Sequence, residues 1–453
     1  MKPIHYNVFI IGSGVAGQTV AKACAVKKLK VAITDNREYG GTCANRGCDP
    51  KKVLLEFSSL LEKSQRLNHV GVDKLPKINW KQVQKFKNKF IDKIPVKTEE
   101  NLKSLDIDLY HQSPQFISET EVLVEGKTVS ADYFIIATGR VPKELNIKGE
   151  KYIETSDAIL DLNKIPKSVS FIGSGYVGME FATMLAVLGC KVTMFQHNKT
   201  VLSNFDQFLV KKLMAKMNSF GVEFIFNAKV VSAQKRNKNI RIKYEVNGTK
   251  KRHKSRKVFN TAGRVPSVEM LDLEQANVDF DETGILVNEF LQSKTNRKIY
   301  ACGDVSNASL PLTPLSGLQG NIVSNNILKE HSKKYQYPLV PSTVFTLPNL
   351  SSVGLSETQA KKRYKNILIF KGDLHDKFNA RKENESTYAY KILANKRTKV
   401  IVGAHILGPK ANENINILLL AIHSKMTVSA FKKLIFTYPS YSNDLKYMMA
   451  DDS

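Results

Sequence analysis

No stretch of 18 or more apolar residues occurs in the chain, so no segment of it reads as a membrane-spanning helix. Acidic residues are scarce beside basic ones: 42 Asp and Glu face 68 Lys and Arg, a formal net charge of +26. That excess attracts phosphorylated ligands, polyanions and acidic surfaces without choosing among them. The signatures of helix-turn-helix, zinc-finger and RNA-binding domains are missing, so nothing in the sequence argues for specific nucleic-acid binding. The densest basic block, NGTKKRHKSRKVF at 247–259, lies between alternating strand-like segments and reads as the solvated edge of a hairpin. Cysteines number only five, too few for a disulfide scaffold in a chain of 453 residues. Cys24, Cys190 and Cys302 stand alone in apolar surroundings and are expected in the core; only Cys43 and Cys48 are neighbours. The amino end, MKPIHYNVFIIGSG, has neither the apolar h-region nor the small-residue cleavage site of a secretory leader, so the cytoplasm is the expected compartment.

What is present begins with a repeated unit. In YNVFIIGSGVAGQTVAKACAVKKLKVAITD an apolar strand ends at Ile11, a glycine turn follows, then a helix and a second strand ending at Asp35. The spacing Gly12, Gly14, Gly17 serves a tight turn, a close approach of backbone to pyrophosphate at a helix N-terminus, and packing of that helix on the strand. Asp35 stands where a carboxylate accepts hydrogen bonds from a ribose 2′-hydroxyl. The pattern recurs in SVSFIGSGYVGMEFATMLAVLGCKVTMFQHNK with Gly173, Gly175 and Gly178, and two such units imply two dinucleotides. The second unit ends its strand at Gln196 rather than an acid and continues with His197 and Lys199. An anion that would repel a 2′-phosphate is thus replaced by donors that meet one, and NADPH is expected over NADH.

Further turns organise the rest. DYFIIATGR closes a strand at Thr138 and Gly139, AGRVPS echoes it at Gly263, and RKIYACGDV brings Gly303 and Asp304 toward a cofactor's ribityl or pyrophosphate region. LTPLSGLQGNIVSNNIL reads as a helix. Residues 1–143 and 266–335 therefore build one discontinuous cofactor domain, with a second nucleotide-binding domain at 144–265 inserted in it. Residues 338–453 mix strands and helices with no glycine fingerprint, and read as an α+β assembly domain. The expected class is α/β: two Rossmann-like nucleotide-binding domains and a C-terminal α+β domain.

The motif GGTCANRGCDPKK, both fingerprints, the ATG turn, GDV followed by LTP, and VFTLPNLSSVGLSETQA occur in an order that resembles the flavin-dependent pyridine nucleotide-disulfide oxidoreductases of the glutathione reductase, dihydrolipoamide dehydrogenase and mercuric reductase type. The resemblance covers essentially the whole chain. It implies FAD in the first domain, with Gly41 and Thr42 at its edge, NAD(P)H in the second, and a homodimer in which the last domain completes the partner's active site. Four residues separate Cys43 from Cys48, and the segment after them is helical in pattern, so the thiols sit where a turn feeds a helix N-terminus with Lys51 near, a setting that favours thiolate. The resemblance assigns Cys43 to interchange with the substrate and Cys48 to charge transfer with the flavin. It also assigns Lys51 and Glu180 to an ion pair beside the flavin and Tyr176 to the gate over its nicotinamide side.

The chain departs from the family where protons move. The family supplies a His-Pro-Thr histidine and, five residues later, a glutamate; here Pro439 aligns with the proline, placing Tyr438 at the histidine and Asn443 at the glutamate, with Asp444 one residue out of register. A tyrosine near pKa 10 donates a proton but is a poor base at neutral pH. Asn321 replaces the arginine with which glutathione reductases hold a substrate carboxylate, and the terminal MMADDS carries no cysteine pair of the mercuric reductase kind. Arg46 and Asp49, charged where better-known members are apolar, read either as a mutual salt bridge or as groups that tune the flavin and thiols or select a charged substrate. The expected activity is passage of electrons from NADPH through flavin and the dithiol to a small-molecule disulfide or related acceptor. The alternative is direct transfer from flavin to a quinone, dye or metal ion. No residue is assigned to a resident metal.

Overall fold

Strand β1 (Ile4–Ile11) runs Val8-Phe9-Ile10-Ile11 into full burial, the unbroken apolar run of a strand covered on both faces. In the computed structural model, which describes residues 2–308, 310–330 and 332–450, it pairs in parallel with β2 (Val31–Thr34) on one side and with Lys127–Ile136 on the other. Helix α1 (Val15–Val26) makes the crossover between β1 and β2. Seven strands form this sheet, with Asp108–Tyr110 beyond β2, Ile299–Ala301 parallel to Lys127–Ile136, and the antiparallel strands Gln115–Ser118 and Glu121–Val124 completing it. The fold of α1 back onto helix Thr313–Leu328 is close: a Cβ at Gly320 would stand 2.8 Å from the Ala16 carbonyl oxygen. After β2 come α2 (Gly41–Arg46) and α3 (Cys48–Arg66).

Packing divides the chain into two units, Met1–Val53 with Gln84–Glu144 and Gly263–Tyr337, and Leu54–Val83 with Leu145–Ala262 and Pro338–Ser453. The second unit holds a parallel five-stranded sheet in the order Val222–Ile225, Lys191–Phe195, Ser168–Ile172, Lys257–Asn260, Glu154–Thr155, again with a helix, Tyr176–Val187, crossing between its central strands. A three-stranded antiparallel meander, 228–255, is inserted before the last long strand. The C-terminal portion is an antiparallel five-stranded sheet with helix Ala411–His423 laid on it. Within this unit Lys391 of the C-terminal sheet, buried, reaches Asp206 at 2.6 Å and Glu357 at 2.9 Å. Asp206 also caps helix Gln207–Ser219, accepting from the backbone of Phe208 and Leu209, so one carboxylate serves two segments. Cys24, Cys190 and Cys302 are buried in the cores as expected. Among the described residues no helix is long and apolar enough to cross a membrane.

Candidate active site

The two fingerprint turns are built alike. Gly12 stands at φ +110°, with room for no side chain because a Cβ would lie 2.4 Å from the Ala137 carbonyl oxygen. Ser13 donates from its backbone N–H and its hydroxyl to Oδ2 of Asp35, at 2.8 and 2.7 Å. Ser174 does the same to Oε1 of Gln196, at 3.2 and 2.8 Å. The serine between the first two glycines thus ties each turn to the end of the second strand, and the GSG triplet in both motifs was its sequence signal. Gly14 and Gly175 head helices that carry no side-chain cap among the described residues, and Gly17 and Gly178 lie against the turn itself. The Ser13 hydroxyl also accepts from the Gly40 N–H, joining the turn to the start of α2.

The first unit fits FAD on its own features. Oγ1 of Thr138 is buried without a hydrogen-bond partner among the described residues, a donor awaiting an acceptor. Next to it Gly139, at φ +69°, faces open space, with nothing within 4 Å of where a side chain would begin. Asp304 follows Gly303, whose N–H is held by Gln319 at 2.7 Å; burial raises the Asp304 carboxyl above its usual range, and Arg264, Ser316 and Arg140 oppose that rise. Arg140, which the sequence did not single out, donates to the backbone oxygens of Asp304 and Thr283 and so fixes this loop. Thr42 is exposed beside the thiols, and Gly263, at φ +126°, faces open space.

Cys43 lies inside α2, and Cys48 opens α3, where the positive end of the helix favours an anion. The two thiols differ sharply. Cys48 is pulled down to about 6 by the hydrogen bond from Cys43 and by the charges of Lys51 and Lys52, burial opposing. Cys43 is pushed well up because it holds the proton of that hydrogen bond and is half-buried. Thr313, 270 residues away, donates to Cys43 Sγ at 3.3 Å from the first turn of its helix. It lies in the LTP that the sequence offered only as a family marker. Arg46 pairs with Glu38 rather than standing as an unanswered charge, and burial raises the Asp49 carboxyl.

In the second unit Tyr176 begins its helix half-exposed, and Glu180, one turn on, is buried with Oε1 accepting from the Phe345 N–H at 2.9 Å. Lys51 is buried in the first unit. Gln196 is buried, and its amide donates to Asn198 Oδ1 and the Thr200 carbonyl, both 2.8 Å, while His197 and Lys199 are exposed on the turn that results. Tyr438 is 68% exposed, its ring 6.3 Å from that of Phe378. Asn443 is buried in the short helix Tyr441–Asp444, and Asp444 accepts from Asn379 Nδ2 at 3.0 and 3.1 Å, so this carboxylate is engaged within its own chain.

Residues 6–320 match the pyridine nucleotide-disulphide oxidoreductase family and residues 340–449 match its dimerisation domain; the chain belongs to this family. It is 29% identical over 446 residues to mercuric reductase of Staphylococcus aureus, covering 97% of this chain and 81% of that one. Dihydrolipoyl dehydrogenase of Staphylococcus aureus is likewise 29% identical over 445 residues, 97% and 94% of the two chains. The HOCl-induced flavoprotein disulfide reductase RclA from Escherichia coli, in a Cu(II) complex, shares the fold with a TM-score of 0.87 and 26% identity over 99% of each chain. The protein is accordingly an FAD- and NAD(P)H-dependent homodimeric oxidoreductase that uses a redox-active cysteine pair on a disulfide or related acceptor.

Proposed function

We propose that this enzyme reduces a low-molecular-weight disulfide with NADPH as donor, Cys48 serving as the thiolate toward the flavin and Cys43 as the interchange thiol. The observation that carries the reading is the placement of the two thiols, Cys43 in α2 under the hydroxyl of Thr313 and Cys48 at the head of α3, where Lys51 and Lys52 draw its pKa down. Bound FAD supplies the conversion of a nicotinamide hydride into the two electrons that reopen the cysteine pair. Gly12, Gly14, Gly17, Asp35, Gly41, Thr42, Thr138, Gly139, Gly303 and Asp304 would hold it. The second fingerprint, Tyr176 and Gly263 would place the nicotinamide dinucleotide, and Lys51 with Glu180 would flank the flavin. Residues 1–143 with 266–335, 144–265 and 338–453 are the corresponding domains of this reading. Cycling thiols also suit a reducing compartment, the cytoplasm.

In the thiol half-reaction Cys43 Sγ attacks one sulfur of the substrate, the S–S bond breaks, and a thiolate leaves. Cys48 Sγ then attacks Cys43 Sγ, releasing the second thiolate and closing the Cys43–Cys48 bond. Over a cycle one disulfide, NADPH and a proton become two thiols and NADP⁺. The proton that Cys43 gives up as it attacks passes to the Cys48 sulfur and, when Cys48 attacks in turn, to the first leaving thiolate; the second takes the proton of the overall balance, and the hydroxyl of the partner's Tyr438, refilled from solvent, is the donor we assign to it. Assaying wild type and Tyr438→Phe on glutathione disulfide, other small disulfides, quinones and Cu(II) tests both points. Disulfide turnover should exceed that of the other acceptors and fall in kcat by about 10- to 10⁴-fold in the variant. Unchanged kinetics would remove Tyr438 from the mechanism. A wild type that turns over only quinones or metal ions would establish the second reading, direct transfer from the flavin, which the absent histidine and the metal-named relatives favour.

NADPH preference rests on Gln196, His197 and Lys199. Replacing Lys199, exposed and clear of the fold, by Ala should lower kcat/KM for NADPH by roughly tenfold and leave NADH nearly unchanged, on the scale of one charge contact at a partly solvated phosphate. Equal losses with both donors would detach Lys199 from the 2′-phosphate.

A further inference from the structure

The basic block that the redox chemistry leaves unused forms one face of the antiparallel meander, Ala228–Arg236, Asn239–Val246 and Thr249–Ser255. Over residues 228–257 there are twelve Lys and Arg and a single acid, Glu245. In register, Arg241 stands opposite Lys254 and Lys243 opposite Arg252; on the first strand Gln234 and Ser232 complete the rows. Alternation puts Ile240, Ile242 and Tyr244 of the central strand into the core behind, and His253 turns the same way to meet Phe195 edge-on, with ring centroids 5.5 Å apart; on the forward face Glu245 ends the row, opposite Lys229 and Lys250. The four cations are left on one face, and among the described residues none of them has an acidic partner. Like charges directly opposite each other weaken a strand pair, so sheet stability alone would place acids here.

We propose that this face binds the sugar-phosphate backbone of nucleic acid, without reading sequence. Cations on one strand recur every second residue, about 6.6 Å apart, and rows on adjacent strands lie about 5 Å apart, a grid of donors suited to successive phosphates. Arg241 and Arg252 offer bidentate forks to phosphate oxygens, and Lys243 and Lys254 offer point charges. The array contains no apolar side chain to enter a bilayer and no aromatic anchor of the kind that makes the core of a protein interface, which leaves a ligand recognised by charge alone. The absence of a base-reading motif is consistent with this, since backbone contacts carry no sequence information.

The test uses the full-length flavin-loaded enzyme and fluorescence anisotropy with labelled 20-nucleotide RNA and 20-base-pair DNA of arbitrary sequence, across a salt series. Four phosphate contacts give a slope of log Kobs against log salt of about −3 for the single strand and nearer −4 for the duplex. Arg252→Glu with Lys254→Glu sets opposite charges across the strands from Lys243 and Arg241. This variant should bind at least tenfold more weakly with a slope reduced by about two. It should also unfold at a higher temperature than wild type and accept hydride from NADPH unchanged. Arg252→Gln with Lys254→Gln should show the same loss in smaller measure. Binding by either variant equal to wild type overturns the proposal, as does capture by phosphatidylglycerol vesicles or polyglutamate under salt at which both oligonucleotides stay free.

Discussion

Protein carrying Cys48→Ser, fully loaded with flavin, should lose disulfide turnover by at least ~10³-fold, the scale on which removal of a nucleophile or its essential partner acts. The loss follows from the asymmetry of the pair. Cys43 in the reduced enzyme is held as a thiol by the hydrogen bond it donates to Cys48, and without the Cys48 sulfur no second attack releases the mixed disulfide. Alkylation gives a reading independent of turnover. In reduced wild type, iodoacetamide should label one thiol with an apparent pKa near 6, because a depressed pKa keeps the reactive thiolate present at neutral pH and loses it only as pH falls through that value. In Cys48→Ser this low-pH labelling should vanish and Cys43 should react only at alkaline pH. If the labelled thiol of wild type maps to Cys43, Cys48 is not the thiol that holds the low pKa. Replacing both cysteines by Ser separates the two functional readings: retained quinone or Cu(II) turnover would show that those acceptors bypass the thiols.

The second large effect is expected at Gly41. Its φ of +75° favours glycine, and a Cβ there would lie 2.5 Å from Gly14 Cα, so the start of α2 rests directly on the fingerprint turn. Gly41→Ala should cost about 2–4 kcal/mol through backbone strain and overpacking together, lowering the thermal midpoint by roughly 5–15 °C. It should also purify with markedly less flavin, because the fingerprint turn, proposed above to hold FAD, is the part displaced. Gly126→Ala is the control. That residue has a similar φ of +70° but nothing within 4 Å of a built Cβ, so it should lose only about 1 kcal/mol and keep its flavin. Equal flavin loss in both variants would mean that strain, not the contact of the two backbones, governs retention.

The nucleotide-binding units were legible because their evidence is local. A buried strand, a glycine turn, a crossover helix and a polar residue at the end of the next strand fall within about thirty residues, and each element is dictated by steric or hydrogen-bond needs of its immediate neighbours. The cysteine pair was legible for the same reason: five positions of sequence place Cys43 in one short helix and Cys48 at the head of the next. The three isolated cysteines declared their burial through apolar surroundings, and the basic block declared its exposed hairpin through alternation.

Partnerships between distant segments were decided only by the tertiary fold. The donation of Thr313 to Cys43 crosses 270 positions, and no periodicity links them. Arg46 turned to Glu38 within its own loop, a choice that spacing to Asp49 left open. Asp444 was available in the sequence as a substitute partner for Tyr438, and in the structure Asn379, brought up by a different helix, occupies it. The divergence of the two thiol pKa values likewise depends on which sulfur holds the shared proton and on the orientation of α3 with Lys51 and Lys52, quantities set by three-dimensional distance. Sequence by itself thus determined the architecture, the glycine turns and the neighbouring cysteine pair, because backbone sterics and hydrophobic periodicity act over a few residues. Folding determined which polar groups attend each thiol, because electrostatics and hydrogen bonding act between atoms that only the tertiary structure brings within a few ångströms.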